Sequence, residues 1–208
     1  MSHLETGVDE AGTPPRAPHP RVDAILSGAA QAFSAKGFAA TSMREIAQRA
    51  DASLGTIYYH FESKDEILRA LICGNFRRVH TALDAALEDV DDPGEALAVF
   101  IDNHIRFFAS RLDEMRVMSH ELDTLAGEAG AEVSSQRDAY SAKAAAILRR
   151  LRPDIEEAEL RVHTLCLFGM LNWTYRWFHT VDRRMGAAGI AERMTRLFTE
   201  GFAPGSHR

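Results

Sequence analysis

The chain contains 208 residues, of which 46% are hydrophobic and 26% are charged, and its formal net charge at pH 7 is −6. This composition is typical of a globular protein with a hydrophobic core, and it argues against a disordered chain or a coiled-coil rod. No apolar run approaches the roughly 18 residues that a membrane-spanning helix needs. The two cysteines are too few for a disulfide framework. The sequence therefore predicts a cytoplasmic protein with no membrane partner.

Positive charge is concentrated near the start of the chain. Residues 21–80 hold eight Lys or Arg against six acidic residues, whereas residues 81–208 hold fifteen against twenty-one. An acidic remainder would repel a polyanion and orient the basic segment towards it. The distribution of charge is thus compatible with nucleic-acid binding, although the net charge of the chain is negative.

The first predicted elements are an arm and a helix. Residues 1–20 are rich in Pro and Gly and almost free of large apolar side chains, which predicts a disordered arm. From Val22 onward, apolar residues recur at spacings of three and four, which predicts an amphipathic helix. Gly37 is expected to end that helix, because glycine readily adopts the left-handed conformation of a helix terminus.

Three further helices begin at predicted caps. Thr41 or Ser42, together with Glu45, resembles a capping box that opens a second helix. Ser53 is expected to cap a third, short helix that ends near residue 60, and Ser63 a fourth that ends near residue 90. Residues 42–60 thus have the order helix, short turn, helix, in which the second helix enters the major groove of DNA.

The rest of the chain is also predicted to be helical, and strand signals are absent. Helices are expected over residues 95–111, 114–126, 131–151, 156–179 and 187–202. The predicted fold class is all-α with about nine helices. Its predicted divisions are an arm over 1–20, a helix-turn-helix domain over 21–66, and a larger helical ligand-binding and dimerisation domain over 67–204.

The N-terminal third resembles the DNA-binding domain of the TetR family of bacterial repressors. The resemblance is carried by residues 41–47 (TSMREIA) and 55–68 (GTIYYHFESKDEIL), with Ala50 between them and Phe33 and the Lys36-Gly37-Phe38 run before them. It implies DNA contacts by eight residues: Thr41, Arg44, Ser53, Thr56, Tyr58, Tyr59, His60 and Lys64. Lys64 would clamp a phosphate. Alternatively, Tyr58 packs against Phe33 or Phe38, and Lys64 is a solvated lysine at a helix start.

The same resemblance implies a homodimer on a palindromic operator in double-stranded DNA. The two last long helices, about 156–179 and 187–202, would form the interface. Their apolar faces contain Leu160, Leu167, Leu171, Met194, Leu197 and Phe198. These residues could equally belong to the core of one chain, because helical spacing alone does not distinguish the two.

One C-terminal segment suggests an effector. Both tryptophans, Trp173 and Trp177, lie four residues apart and flank Arg176, which combines flat apolar surface with a cation suited to phosphate or carboxylate. The segment from Asn172 onward resembles TetR-family regulators of fatty-acid and steroid breakdown, whose effectors are acyl-CoA thioesters. The resemblance implies ligand contacts by Asn172, Trp173, Arg176 and Trp177. Alternatively, the tryptophans are core or interface residues and Arg176 pairs with an acid such as Asp182.

The middle helices supply candidate walls for a ligand pocket. Aromatic and methionine side chains suit a sizeable apolar ligand, and the predicted contacts are Phe100, His104, Phe107, Met118, Leu122 and Tyr140. The same pattern is also typical of an ordinary core, so both interpretations stay open.

Enzymatic and metal-dependent functions are not expected. The sequence lacks a nucleophile elbow and a phosphate-binding glycine loop, and its histidines lack the spacing of a tight metal motif. No metal or cofactor is therefore predicted. The expected function is that of a homodimeric repressor released from its operator by a small apolar effector, for which an acyl-CoA thioester is one candidate. The alternative is a regulator of efflux or catabolism that responds to a hydrophobic compound without CoA. The fourth helix is expected to couple the two domains.

Overall fold

The computed structural model describes residues 20–181 and 184–202. Within these ranges it contains ten α-helices, one short 3-10 helix and no strand, so the predicted all-α class is confirmed. The helices are α1 (Pro20–Lys36), α2 (Met43–Arg49), α3 (Leu54–His60), α4 (Lys64–Leu87), α5 (Pro93–Ala109), α6 (Leu112–Glu121), α7 (Gly127–Leu151), α8 (Glu157–Asn172), α9 (Thr174–Trp177) and α10 (Gly186–Phe202), with the 3-10 helix at Phe178–Thr180.

The predicted caps start α2, α3 and α4. Ser42 accepts a hydrogen bond from Glu45 N, and the Glu45 carboxylate accepts one from Ser42 N, which completes the capping box. Ser53 caps α3, and Ser63 caps α4 by accepting from Glu66 N. Each cap satisfies backbone N–H groups that have no partner within the helix, which fixes where the helices begin.

Close packing of α1 on α2 requires a glycine. A Cβ atom on Gly28 would lie 2.8 Å from the backbone N of Ala50, closer than atoms can pack without a shift. Gly37, with φ at +86°, ends α1 in the left-handed conformation that glycine tolerates. In the N-terminal unit, Gly28 therefore permits the close packing of α1 on α2, and Gly37 allows α1 to end.

One predicted boundary differs from the structure near the start of the chain. Helix α1 begins at Pro20, inside the segment predicted to be an arm. Proline is favourable at the first position of a helix, because its missing N–H would have no partner there. The remainder of the predicted arm lies outside the described residues.

The helix predicted over 156–179 is interrupted. Helix α8 ends at Asn172, and Trp173 connects it to the single turn of α9. The Trp173 N–H and the Thr174 hydroxyl both bind the Leu171 carbonyl, at 2.8 Å for the hydroxyl. The tryptophans therefore do not lie on one continuous helix.

Helix α4 extends from the N-terminal unit into the larger domain, where it packs on α5 and α7. Its buried side chains form a continuous core with those of α5 and α7; examples are Leu68, Ile72, Leu83, Leu97, Ile101 and Leu148. Helix α10 packs mainly on α5, and α6 packs on α1. Two elements, α4 and α6, thus join the domains. None of the helices in the described ranges has the length and apolarity to cross a membrane.

Candidate functional site

Helix α3 presents an exposed aromatic face. Tyr58 is 53% exposed and Tyr59 is 83% exposed, whereas Ile57 on the other side of the helix is buried. Phe33 and Phe38 pack on each other, with 5.2 Å between ring centroids, so the alternative in which Tyr58 packs against these rings is not supported. Exposed tyrosines on the second helix of a helix-turn-helix have the geometry for phosphate or base contacts.

The neighbouring predicted contacts lie at the same end of the molecule. Arg44 is exposed on α2, and Ser53 is exposed at the start of α3. The Ser53 hydroxyl accepts from Thr56 N and lies 2.8 Å from the Thr56 hydroxyl. His60 is half-buried at the end of α3, edge-on to the Tyr59 ring. We call the surface formed by these side chains the α3 face; its members are Arg44, Ser53, Thr56, Tyr58, Tyr59 and His60.

Two predicted contacts have structural roles instead. Thr41 is buried, and its hydroxyl donates to the Gly37 carbonyl at 2.8 Å. Lys64 Nζ donates to the carbonyls of Phe38, Ala39 and Thr41 at 2.7, 3.2 and 2.9 Å, and it lies 4.3 Å from the centroid of the Phe38 ring. An ammonium group has three donors, and all three are used. The predicted phosphate clamp at Lys64 and DNA contact at Thr41 therefore disagree with the geometry.

The larger domain encloses a cavity of about 1020 Å³ between α4, α5, α6, α7 and α8. Five predicted ligand-binding residues line it: His104, Met118, Leu122, Tyr140 and Asn172. The other large apolar side chains of the lining are Phe76, Val79, Phe108, Met115, Leu160, Leu165 and Phe168. A cavity of this size and lining suits a drug-sized or larger apolar ligand.

Five other predicted contacts lie elsewhere. Phe100 is fully buried behind the wall, stacked on Tyr140 at 5.2 Å, and Phe107 lines a separate groove between α4 and α5. Trp173 is exposed, with the Arg176 guanidinium 4.9 Å from its ring centroid.

Trp177 is half-buried against the core. The break after α8 turns Trp173, Arg176 and Trp177 away from the cavity, so their prediction as ligand contacts is not supported. The alternative partner Asp182 lies outside the described residues.

The cavity entrance contains two arginines that the sequence analysis missed. Arg137 on α7 and Arg161 on α8 line it together with Asp138 and Glu157. Arg137 pairs with Asp123 and Asp138, each at 3.2 Å, whereas no ion pair to Arg161 occurs within the described ranges. The available signal was the spacing of Arg161, Thr164 and Phe168 on one face of α8.

The deep end of the cavity contains a buried polar pair. His104 Nδ1 lies 3.3 Å from the Tyr140 hydroxyl, and both side chains are surrounded by aromatic rings. Burial lowers the pKa of His104 to about 3 and raises the pKa of Tyr140. Both groups are therefore neutral near pH 7.

The residues predicted to form the dimer interface divide between core and surface. Leu160, Leu167 and Leu171 are buried within the chain, as in the alternative that assigned them to the core of one chain. Met194 and Phe198 are half-buried against the core. The exposed apolar side chains of this region are Val162, Leu165, Trp173 and Leu197, and we call this set the C-terminal apolar surface.

Metal-binding geometry does not occur in the part of the chain that the structure describes. No three His, Cys, Asp or Glu side chains converge there on a common point. His120 instead lies 2.7 Å from the Tyr175 hydroxyl through Nε2.

Comparison with known proteins identifies both domains. Residues 25–71 match the family model described as "Bacterial regulatory proteins, tetR family". Residues 90–202 match "Tetracyclin repressor-like, C-terminal domain".

Individual relatives agree with these matches. The HTH-type transcriptional regulator Rv1255c of Mycobacterium tuberculosis is 29% identical over 132 residues, which are 64% of this chain and 63% of that protein. PfmR of Thermus thermophilus, a TetR-family regulator, is 31% identical in structural alignment, with a TM-score of 0.73 over 88% of this chain and 99% of that one. The complex of AibR with isovaleryl coenzyme A and operator DNA has the same fold, at 24% identity and a TM-score of 0.74, over 85% of this chain and 97% of that one. The relatives are transcriptional regulators rather than enzymes, and this chain belongs to the TetR family of transcriptional regulators.

Proposed function

We propose that the protein is a homodimeric repressor whose operator complex is released by an acyl-CoA thioester bound in the cavity between α4 and α8. The observation that carries this proposal is the polarity of the cavity. Its interior is lined by apolar and aromatic side chains, and its entrance contains Arg137 and Arg161. An apolar acyl chain would occupy the interior, and the phosphates of CoA would meet the arginines at the entrance.

DNA binding is assigned to the α3 face. Tyr58, Tyr59 and Arg44 are exposed there and supply hydroxyl and guanidinium donors, which are common partners of phosphate oxygens and base edges. A single short helix reads few base pairs, so two copies on a palindrome are needed for specific affinity. The C-terminal apolar surface supports a second copy of the chain, because Val162 on α8 and Leu197 on α10 are exposed apolar side chains outside the cavity lining.

The relatives support the ligand class only in part. AibR, which has this fold, forms a complex with isovaleryl coenzyme A and operator DNA. The acyl-CoA assignment here depends on the arginines of this chain. A second candidate is a hydrophobic effector without CoA, and it is favoured by the two aspartates that already pair with Arg137.

The test measures operator release. Fluorescently labelled DNA from the region upstream of the protein's own gene is bound to the full chain, and acyl-CoAs with short, long and aromatic acyl groups are titrated by anisotropy. Free CoA and the free acids serve as ligand controls. Arg161→Gln is expected to weaken the response to the thioester about tenfold or more, and the exposed Arg116→Gln, outside the cavity lining, is the matched control.

The outcomes separate the two candidates. Release by a thioester, but not by its free acid, supports the acyl-CoA proposal. Equal release by the free acid, or an unchanged response of Arg161→Gln, would favour an effector without CoA. Absence of DNA binding at low salt would contradict the repressor itself.

A further inference from the structure

Two polar side chains, Tyr140 and His104, lie at the deep end of the cavity, and each is 3% exposed. Aromatic rings surround the pair. A buried phenol normally donates its proton to a hydrogen-bond acceptor. The position of the available acceptor therefore determines where the Tyr140 proton lies.

That proton points to His104. The Tyr140 oxygen lies 3.3 Å from His104 Nδ1, and no other acceptor for the phenol is recorded among the described side chains. When Nδ1 accepts this hydrogen bond, the proton of the neutral imidazole is on Nε2. The hydrogen bond from Tyr140 to His104 thus fixes the tautomer and makes Nε2 a donor.

His104 Nε2 is a buried polar atom without a hydrogen-bond partner in the described part of the chain. The residue is only 3% exposed and belongs to the cavity lining. Its ring lies against the rings of Phe108 and Phe168, with 4.9 Å and 6.3 Å between centroids. A buried donor is normally paired, and the group that can reach it is one that enters the cavity.

We propose that His104 Nε2 donates a hydrogen bond to a carbonyl oxygen of the bound effector. The inference deepens the proposed function and rests on the cavity being the effector site. The carbonyl is uncharged, because a carboxylate at this apolar end would lose its hydration without gaining a cation. Two sources supply such an oxygen: the thioester of an acyl-CoA and a ketone on an apolar skeleton. Tyr140 positions the imidazole through its hydrogen bond with Nδ1.

Matched ligand pairs test the proposal by binding alone, without DNA. The first pair is an acyl-CoA and the S-alkyl-CoA thioether of the same chain length, which lacks only the carbonyl oxygen. The second is butyrophenone and butylbenzene, which differ in the same way and contain no CoA. Affinities for the purified full chain are measured by calorimetry. The wild type is expected to prefer the carbonyl member of at least one pair about tenfold, as for one buried hydrogen bond.

Two variants identify the donor. His104→Met removes the donor at similar volume and is expected to abolish the carbonyl preference, while affinity for the matched member without carbonyl stays within about threefold. Tyr140→Phe keeps the ring that stacks on Phe100 but frees the tautomer, and it is expected to reduce the preference partially. If His104→Met does not fold, the affinity ratios of the wild type and of Tyr140→Phe for the two ligand pairs still test the proposal.

Failure of this inference is distinguishable from failure of the proposed function. A tenfold preference for butyrophenone without any CoA binding would support the His104 assignment and contradict the acyl-CoA ligand class. Equal affinities within both pairs in the wild type would overturn the His104 assignment, even if the CoA compounds bind. A carbonyl preference that survives in His104→Met would overturn it as well.

Discussion

Glu121 at the end of α6 accepts a hydrogen bond from the backbone N of Phe38, with 3.0 Å between Oε1 and N. The two residues belong to different domains, since Phe38 lies in the loop between α1 and α2. Helix α6 and the residue that follows it also line the cavity, with Met115, Met118 and Leu122. A ligand that displaces α6 therefore acts directly on the loop that holds α2, in addition to acting through α4.

We predict that Glu121→Ala weakens the coupling between effector and DNA. The substitution removes the acceptor of Phe38 N but touches neither the cavity lining nor the α3 face. Coupling free energies in such systems are about 1–3 kcal/mol, and the variant is expected to lose a substantial part of that amount. The measurement is operator affinity with and without saturating effector, compared with Glu88→Ala, an exposed glutamate just after α4. An unchanged ratio of the two affinities would contradict the role of α6.

Lys64→Gln is expected to lower stability rather than to remove a phosphate contact. Its ammonium group holds three carbonyls of the α1–α2 loop, and loss of such charged hydrogen bonds costs about 1–3 kcal/mol of unfolding free energy. The slope of log affinity against log salt concentration should stay unchanged, whereas Arg44→Gln should reduce the slope by about 1. A reduced slope for Lys64→Gln would instead support the predicted contact between Lys64 and a DNA phosphate.

The sequence predicted the DNA-binding half better than the ligand-binding half for a physical reason. Helix caps such as Ser42 and Ser53, and the terminating Gly37, act within a few residues of themselves, so their effect can be read from the chain. The break at Trp173 could not be read, because every residue that follows it up to residue 178 is compatible with a continuing helix. The structure places the Thr174 hydroxyl on the Leu171 carbonyl at this break, a contact that the sequence alone did not predict.

The direction in which a side chain points was the second feature that the sequence could not predict. A lysine at a helix start has the same sequence signature whether it faces a phosphate or, as Lys64 does, three carbonyls. Likewise, the entrance arginines Arg137 and Arg161 lie on separate helices, and only the packing of α7 near α8 brings them to one opening. Such convergence depends on contacts between distant residues, which local spacing does not encode.

Gly28→Ala is expected to destabilise the N-terminal unit. The added Cβ would lie 2.8 Å from the Ala50 backbone, and a backbone atom cannot move aside as a flexible side chain does. Overpacking of this kind costs about 1–3 kcal/mol, and it should separate α1 from α2 and weaken operator binding in parallel. Thermal unfolding measures the loss. Gly74→Ala on α4, where an added Cβ meets no atom within 4 Å, is the control. Equal stabilities of the two variants would contradict the close approach.

Leu197→Glu is expected to weaken the dimer. Leu197 is 68% exposed on the C-terminal apolar surface and lies outside the cavity lining, and a charge buried there without a partner opposes association. Sedimentation over a concentration series should shift towards the monomer, with a parallel loss of operator affinity. Ala146→Glu, at an exposed position of α7, should leave both unchanged. A wild-type monomer, or a variant that dimerises normally, would exclude this surface as the interface.

His104 should make the fold sensitive to acid. Its pKa is lowered by burial from 6.5 to about 3, so below pH 6.5 the unfolded chain binds a proton that the folded chain does not. The stability associated with the neutral imidazole is complete above pH 6.5 and decreases as the pH falls towards 3. At pH 5 the loss amounts to about 2 kcal/mol of unfolding free energy relative to pH 7.5. Denaturant unfolding of the wild type and of His104→Gln at both pH values isolates this contribution, because the half-buried His80 and His163 are present in both proteins. Equal losses in the two proteins would show that His104 is protonated in the folded state and would also remove the fixed tautomer on which carbonyl recognition depends.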